Sequence, residues 1–216
     1  MNTVDVVIPC RDEEGSVPGV LAALPDGYRA IVVDNGSRDA TARVAVDHGA
    51  EVVSEARAGY GAAVHAGVLA ATADVVCVLD GDGSMDPGEL PLLVAALNDG
   101  ADLAVGRRVP LAGSGWPWHA RAGNAVVAAR LRARYGLGVH DIGAIRAVGR
   151  VALLELGVTN RRSGYPLELL VRAAAAGWRV TEVDVTYAPR TAGRSKVSGS
   201  VLGTVQAIRD FSAALA

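Results

Sequence analysis

Residues 75–84 read Val-Val-Cys-Val-Leu-Asp-Gly-Asp-Gly-Ser, an apolar run followed by two acidic residues that one glycine separates. An apolar run without polar interruption is typical of a strand buried on both faces of a parallel sheet. In open α/β sheets, ligands bind beyond the carboxyl ends of the strands, which is where Asp80 and Asp82 stand. The stretch therefore predicts an α/β fold with a ligand at one edge of its sheet.

Strands and helices are predicted to alternate through the first half of the chain. Four more short apolar runs have strand length, at residues 4–9, 31–34, 51–53 and 101–105. Between them, residues 17–24 and 90–97 carry apolar side chains at three- and four-residue spacing, as one face of a helix does. This alternation predicts a mainly parallel central sheet flanked by helices, and 216 residues favour a single domain.

The apolar pattern lapses at residues 106–123, where glycine, proline, tryptophan and arginine predominate. This composition predicts a long loop that closes over a ligand, and residues 136–143 predict a second loop. Within the first loop, Trp116 and Trp118 have three open roles: to stack on a sugar, to contact lipid, or to anchor the loop to the body of the protein. We favour anchoring, with lipid contact next. A helix at 167–174 and a strand at 178–187 are expected to follow.

The charge balance argues against nucleic acid as a partner. The chain has 21 basic and 23 acidic residues, a net charge of −2, so no overall positive field surrounds it. Arginines nevertheless concentrate in the middle of the chain, which favours a local anion site. Cys10 and Cys77 lack the spacing of a zinc site. With no signal peptide or membrane-spanning run, the sequence favours a cytoplasmic protein whose membrane contact, if any, is peripheral.

The Asp80-Gly81-Asp82 sequence has the outline of a site for a hard divalent cation. Mg²⁺ and Mn²⁺ prefer oxygen ligands and commonly bridge one or two carboxylates to the phosphates of a substrate. The alternative is an acidic turn in which an aspartate caps a helix. From these residues alone, the two interpretations stay open.

The chain resembles the family 2 glycosyltransferases, which have the Rossmann-like GT-A fold. The resemblance rests on motifs in the order and spacing of that family: residues 8–14 (Ile-Pro-Cys-Arg-Asp-Glu-Glu), residues 33–41, and Asp80-Gly81-Asp82. Later motifs resemble the dolichyl- and polyprenyl-phosphate sugar transferases: residues 105–108, Arg121 with Gly123-Asn124, residues 141–146, and Arg190-(x)3-Arg194-Ser195-Lys196. The resemblance covers essentially all 216 residues, with a nucleotide- and metal-binding half at about 1–106 and an acceptor-binding half at about 107–216.

The resemblance implies a donor site at the ends of the first strands. Its nucleotide- and donor-binding residues would be Pro9, Arg11, Glu13, Asp34, Asn35, Asp80 and Gly81, with Asn35 in place of a second aspartate. Asp34 has an alternative role as a helix cap, and Glu13 as a first-turn charge that the helix dipole favours. The resemblance also makes Asp80, Asp82 and Ser84 the ligands of Mg²⁺ or Mn²⁺. Ser84 stands where related transferases often have glutamine.

Taken singly, each arginine would be interpreted as a solvated surface charge, but the motif order of the family favours phosphate contact for four basic residues. Guanidinium groups match phosphate geometry, and all four positive charges would add to that of the metal. The four residues are Arg108, Arg121, Arg194 and Lys196. Asp141 matches the family position that faces the acceptor. It would act as a base toward a sugar hydroxyl, or position groups if the acceptor is an anionic lipid phosphate. Its alternative role is an ion pair with Arg146 or Arg121.

The resemblance implies an inverting transfer of a sugar from a GDP- or UDP-sugar to a polyprenyl phosphate, catalysed by Asp80, Arg121 and Asp141. Two alternatives stay open: a catalytically silent nucleotide-sugar-binding protein, and a transferase that acts on a soluble hydroxyl acceptor. A sugar-nucleotide pyrophosphorylase is disfavoured, because no glycine-rich phosphate loop follows the first strand. The sequence leaves open whether the protein works at the inner face of the membrane.

Overall fold

The computed structural model describes residues 4–113, 118–143 and 145–191. These residues form a seven-stranded sheet with the order β3-β2-β1-β4-β6-β5-β7. The strands are β1 (Val4–Cys10), β2 (Tyr28–Asp34), β3 (Glu51–Ser54), β4 (Val75–Val78), β5 (Leu103–Pro110), β6 (Arg146–Gly149) and β7 (Val180–Tyr187). The helices are α1 (Val17–Ala22), α2 (Thr41–Asp47), α3 (Tyr60–Ala70), α4 (Leu90–Asn98), α5 (Trp118–Tyr135), α6 (Arg150–Glu155) and α7 (Tyr165–Ala175), and a 3-10 turn (Pro87–Glu89) precedes α4.

Four of the strand pairings are parallel. Strand β1 pairs in parallel with β2 and β4, β2 with β3, and β5 with β7. Strand β6 runs antiparallel to both of its neighbours, β4 and β5, so the sheet is mixed. The prediction of an α/β fold with a mainly parallel sheet and flanking helices is confirmed.

The central strands are mostly apolar because a hydrophobic core covers each face of the sheet, and the buried polar exception in β1, Asp5, pairs with Arg29. Val7 packs into the core on one face, whereas Val6 and Ile8 pack into the core on the other, and all three are fully buried. Neighbouring side chains of a strand point to opposite faces, so a strand covered on both sides has a nearly continuous apolar run.

The prediction of one long loop over residues 106–123 is wrong. Strand β5 continues to Pro110, because it pairs with β7 along its whole length, and helix α5 begins at Trp118. The described part of the connection is therefore short. Trp118 is 79% exposed, which contradicts its predicted role as an anchor, and Trp116 lies outside the described residues.

The parallel strands bring three predicted site segments to one edge of the sheet. Strand β1 ends at Cys10 and β2 at Asp34, and the amide of Asn35 donates to the carbonyl of Cys10 at 2.9 Å. Strand β4 ends two residues before Asp80. Among the helices described, none has the length and apolar character that crossing a membrane requires.

Candidate active site

A cavity of about 340 Å³ opens at the carboxyl edge of β1, β2 and β4. Its lining comes from distant parts of the chain, which the fold brings together. The lining residues are Pro9, Cys10, Arg11, Glu13, Asn35, Ala58, Gly59, Tyr60, Ala63, Asp80, Asp82, Arg162, Ser163 and Arg190. Six of the residues predicted for the donor and metal site therefore share one cavity.

Asp80 and Asp82 form the acidic floor of this cavity. The Oδ1 atom of Asp80 is buried and has no hydrogen-bond partner among the described residues. Burial, together with the negative charge of Asp82, raises the pKa of Asp80 to about 6, even though nearby arginines act in the opposite direction. Asp82 is 2% exposed, and its Oδ1 accepts a hydrogen bond from the amide of Ser84 at 2.9 Å.

The acidic floor fits a divalent cation. Two buried carboxylates repel one another, and one oxygen of Asp80 has no hydrogen-bond partner among the described residues. A bound cation would offset the repulsion and give that oxygen a partner. Within the described ranges, no three His, Cys, Asp or Glu side chains cluster for metal binding. A pair of carboxylates suits Mg²⁺ or Mn²⁺, whose other ligands are commonly phosphate oxygens and water. Asp80 and Asp82 would hold the ion, with the buried Ser84 beside them.

Arg190 binds the same carboxylate that a metal would use. Its Nη2 lies 2.8 Å from Oδ2 of Asp82, and its Nη1 lies 4.0 Å from Oε1 of Glu13. Arg190 belongs to a motif of the resemblance but is not among the predicted site residues. A local signal for Arg190 exists, because it opens the same basic segment that contains Arg194 and Lys196. Those two residues lie outside the described residues.

The segment after β7 is hydrogen-bonded to residues 80–85, the acidic loop that follows β4. The amide of Ala188 donates to the carbonyl of Ser84 at 2.9 Å, and the amide of Thr191 donates to the carbonyl of Asp82 at 3.2 Å. A bridge between Met85 and Tyr187 extends this contact. The last part of the described chain is therefore held against the predicted metal ligands.

Glycines on either side of Asp82 permit this close packing. A side chain at Gly81 would collide with the sulfur of Cys10 and would come within 2.8 Å of Oε2 of Glu13. Gly83 has a φ of +71°, and its Cβ would lie 2.5 Å from Oγ1 of Thr191. Both positions therefore require glycine, for steric reasons at Gly81 and for conformational and steric reasons at Gly83.

The predicted nucleoside-binding residues differ in how much of their hydrogen-bonding capacity the protein uses. Asn35 donates to the carbonyls of Glu55 and Arg57, both at 2.9 Å, and its Oδ1 accepts from the amide of Gly59 at 2.8 Å. It thus braces the connection between β3 and α3. Oδ1 of Asp34 accepts from the amide of Ser37 at 3.1 Å. Both remain predictions as ligand contacts.

Asp141 is paired with Arg108, not with Arg146 or Arg121. Nε and Nη2 of Arg108 each lie 2.7 Å from a different carboxylate oxygen, and the amide of Arg108 donates to Oδ2 at 3.0 Å. Burial acts to raise the pKa of Asp141, but the hydrogen bonds and charge of Arg108 outweigh it and hold that pKa below its usual value. This geometry suits an orienting role, because a strongly paired carboxylate is a weak base.

Glu182 and Asn124 hold the loop that carries Asp141, and Glu182 is not among the residues predicted from the sequence. Oε1 of Glu182 accepts from the amides of His140, at 2.6 Å, and of Asp141, at 2.9 Å. Oδ1 of Asn124, on α5, accepts from the amide of Ile142 at 3.1 Å. Arg121, one turn earlier on α5, is exposed and does not line the cavity.

Arg146 is a second functional candidate that sequence reasoning considered only as a partner for Asp141. It is fully buried at the start of β6, where its positive charge lowers the pKa of Asp80. Its Nη1 donates to the hydroxyl of Tyr60 at 3.2 Å, and its Nη2 donates to the carbonyl of Gly143. A buried arginine beside buried aspartates partly offsets their repulsion.

Comparison with known proteins relates this arrangement to a family of enzymes. A family model described as "Glycosyl transferase family 2" matches residues 5–157. A Mycobacterium tuberculosis protein named as an uncharacterized glycosyltransferase is 65% identical over 210 residues, which are 97% of this chain and 96% of that one. A polyprenol monophosphomannose synthase of Mycolicibacterium smegmatis is 34% identical over 215 residues, with 90% of this chain and 81% of that one covered.

A solved structure supports the same relationship at the level of the fold. Crystalline glucosyl-3-phosphoglycerate synthase from Mycobacterium tuberculosis, in complex with Mn²⁺, UDP and phosphoglyceric acid, matches with a TM-score of 0.79. The match covers 99% of this chain and 77% of that one, at 23% sequence identity. The predicted GT-A fold is thereby confirmed.

Proposed function

The chain belongs to the family 2 glycosyltransferases, and on that basis we propose that it transfers a sugar, with inversion, from a GDP- or UDP-sugar to a polyprenyl phosphate. The observation that carries the proposal is the pair of carboxylates, Asp80 and Asp82, on the floor of a cavity that Arg190 also enters. A nucleoside diphosphate is the leaving group that such a mixture of acidic and basic groups suits. Asp80 and Asp82 would bind a divalent cation, and Arg190 would donate hydrogen bonds to phosphate oxygens.

The residues at this site would have two roles: some would bind the nucleoside, and others would help to stabilise negative charge on the diphosphate. Pro9, Arg11, Glu13 and Asn35, which line the cavity, would contact the nucleoside, together with Asp34, which ends β2 and is not part of the lining. When bound at Asp80 and Asp82, Mg²⁺ or Mn²⁺ would stabilise the negative charge that grows on the diphosphate as the glycosidic bond breaks.

The pairing of Asp141 with Arg108 favours an acceptor that needs no base, because a paired carboxylate is a weak base. A sugar hydroxyl must lose a proton as it attacks, whereas a lipid phosphate is already anionic at neutral pH. Both oxygens of Asp141 are occupied by Arg108, so the carboxylate would orient that guanidinium, which in turn would contact phosphate groups. The name of the polyprenol monophosphomannose synthase also supports an acceptor of this class. We place the reaction at the inner face of a membrane, where the lipid acceptor meets the nucleotide sugar.

Thermal unfolding in the presence of nucleotides tests the donor site. A ligand that binds only the native state raises its stability by mass action, by about 2.7 kcal/mol at a hundredfold excess over Kd. UDP- and GDP-sugars are compared with and without Mn²⁺, for the wild type, for Asp82→Asn and for the exposed control Asp99→Asn. We expect a metal-dependent rise in Tm with one nucleotide class for the wild type and the control, and none for Asp82→Asn.

Transfer of a labelled sugar then tests the acceptor. The expected product is a lipid that partitions into organic solvent when polyprenyl phosphate is supplied. Label in a water-soluble product instead would favour the hydroxyl acceptor. A strong metal-dependent rise in Tm without transfer to any acceptor would favour a silent binding protein, and no rise with any nucleotide would contradict the proposal.

A further inference from the structure

Helix α5 has an outer face that the proposed chemistry does not use. Ala128 and Leu131 are fully buried, and they fix which side of the helix packs against the core. Residues on the opposite side, at 3.6 residues per turn, form a strip of apolar and small side chains. This strip, the outer strip of α5, consists of the exposed residues Trp118, Ala122, Ala125, Val126, Ala129 and Ala133. Trp118 is 79% and Val126 55% exposed.

Arginines border the outer strip on both sides. At 100° per residue, Arg121 and Arg132 fall along one side of the strip, and Arg130 and Arg134 fall along the other. All four are exposed. Arg132 donates to the carbonyl of Val139 at 2.8 Å, and Arg134 lies over the ring of Tyr135 at 5.6 Å. The contact of Arg132 leaves its charge in place, because a carbonyl carries no negative charge.

The charge of this part of the chain is opposite in sign to that of the whole. No Asp or Glu occurs between Asp102 and Asp141, although the protein has a net charge of −2. The stretch does contain arginines, at 107, 108, 121, 130, 132 and 134. A concentration of one charge around an apolar strip favours a partner that is both negatively charged and apolar.

We propose that α5 lies on an anionic lipid surface, with its outer strip inserted among the headgroups. Helices that lie in the membrane interface combine an apolar face bearing tryptophan with flanking basic residues. Tryptophan prefers the level of the headgroups, and arginine reaches lipid phosphates while its aliphatic stem stays in apolar surroundings. A nucleic acid would match the arginines but would leave the apolar strip exposed to water.

The same helix connects the lipid surface to the active site. Asn124, on the inner side of α5, accepts from the amide of Ile142 and donates to the carbonyl of His140 at 3.5 Å. Between these two residues lies Asp141, which orients Arg108. Docking through the outer strip would therefore hold the Asp141–Arg108 pair close to lipid headgroups. In this respect the inference rests on the proposed function, since a lipid-phosphate acceptor must reach that pair.

Vesicle co-sedimentation of the full chain tests the docking. The vesicles are phosphatidylcholine alone or a mixture with phosphatidylglycerol, and they contain no polyprenyl phosphate. The wild type is expected to sediment with the anionic vesicles only, and to be released by added salt. Arg130→Gln should weaken the partition about fivefold, which corresponds to one basic residue at an anionic surface. The double variant Trp118→Ser with Val126→Ser should weaken it by at least as much.

Matched controls come from other helices. Arg43→Gln, on α2, removes an exposed arginine, and Leu92→Ser, on α4, removes an apolar side chain that is 51% exposed. Both controls should bind vesicles as the wild type does. The Tm rise with nucleotide and Mn²⁺, measured without vesicles, should be the same in every one of these variants. A failure of donor binding is thereby distinguished from a failure of docking.

Three results would overturn the inference. The wild type could stay in the supernatant with both vesicle types, or the double variant could sediment as the wild type does. The wild type could also form a dimer that Trp118→Ser with Val126→Ser converts to a monomer, as measured by light scattering. That last result would show that a second copy of the chain covers the outer strip.

Discussion

Arg107 and Arg108 are adjacent in the chain, yet their carboxylate partners differ in burial. Asp184, which pairs with Arg107, is 56% exposed, whereas Asp141, which pairs with Arg108, is 3% exposed. We predict that Asp141→Asn lowers the free energy of unfolding by about 2 kcal/mol, because a largely buried guanidinium loses its counter-charge. Asp184→Asn should cause no measurable loss, as is usual for exposed pairs. Urea denaturation of both variants measures the difference, and equal losses would contradict it.

The pH dependence of this pair has a definite sign. Burial favours a raised pKa for Asp141, but Arg108 and two backbone amides lower it. A carboxylate whose pKa is lower in the folded state stabilises the fold above its unfolded pKa, about 3.9, and loses that contribution as the pH falls through the folded value. The stability difference between the wild type and Asp141→Asn should therefore be constant from pH 8 to pH 5 and shrink below about pH 4. A difference that disappeared at pH 6 would refute the assignment.

Arg190 contacts Oδ2 of Asp82, a carboxylate that the proposed divalent cation would also use, so the two positive charges would compete for it. Replacing Arg190 with Gln removes the competitor and leaves the carboxylate with less positive charge nearby. We predict that Arg190→Gln binds Mn²⁺ without nucleotide about tenfold more tightly, the equivalent of one charge-assisted hydrogen bond. Electron paramagnetic resonance of free Mn²⁺ gives the affinity directly. Arg162→Gln is the control, since Arg162 lines the same cavity, and weaker Mn²⁺ binding by Arg190→Gln would exclude the competition.

Local pattern revealed Asp80 and Asp82 but could not reveal Glu182 or Arg146. The two aspartates follow a strand among glycines, and this pattern can be recognised within ten residues. Glu182 matters because β7 brings it to the amides of residues 140 and 141, and Arg146 because β6 places it beside Asp80. Such roles depend on contacts between segments far apart in the chain, so the sequence gives no local sign of them.

At the scale of elements, the contact between residues 82–85 and 188–191 depends on Gly83. We predict that Gly83→Ala destabilises the protein and abolishes the Tm rise with nucleotide and Mn²⁺, because its Cβ would collide with Thr191. Gly49→Ala is the matched control, since Gly49 has a similar φ of +82° with no atom within 4 Å of its Cβ position. The control should lose only about 1–2 kcal/mol, the cost of left-handed backbone, and should keep the nucleotide response. Identical behaviour of the two variants would show that the contact with Thr191 is unimportant.

The elements that the sequence did not predict are those whose stability comes from their neighbours. Strand β6 has four residues, begins with an arginine and ends with a glycine, so it lacks the pattern of a buried strand. Its pairing with β4 and β5 makes it a strand. Helix α5 was mistaken in part for a loop, because its alanines and arginines show a narrow buried stripe. Strand β1, in which Asp5 is the acidic exception to an apolar run, matches the predicted strand at 4–9 almost to its last residue.

At the scale of the whole molecule, segments from early and late in the chain meet at the candidate active site. Cavity residues come from the loop after β1, the start of α3, the loop after β4 and the segment after β7. The boundary near residue 106 between a donor half and an acceptor half therefore separates segments that share one cavity. This division stays a proposal. Because both halves line the same cavity, we expect donor binding to change the mobility of segments in both of them.

Hydrogen exchange of backbone amides can test that joint response. The amides of Ala188 and Thr191 donate to the carbonyls of Ser84 and Asp82, so a ligand that immobilises the acidic loop should also protect the segment after β7. We predict slower exchange at residues 80–85 and at residues 188–191 when nucleotide and Mn²⁺ are added together. Helix α6 contributes no lining residue and should be unchanged, which provides an internal control. Protection confined to residues before 106 would mean that the donor half binds its ligand alone, and that the late segment engages only when the acceptor arrives.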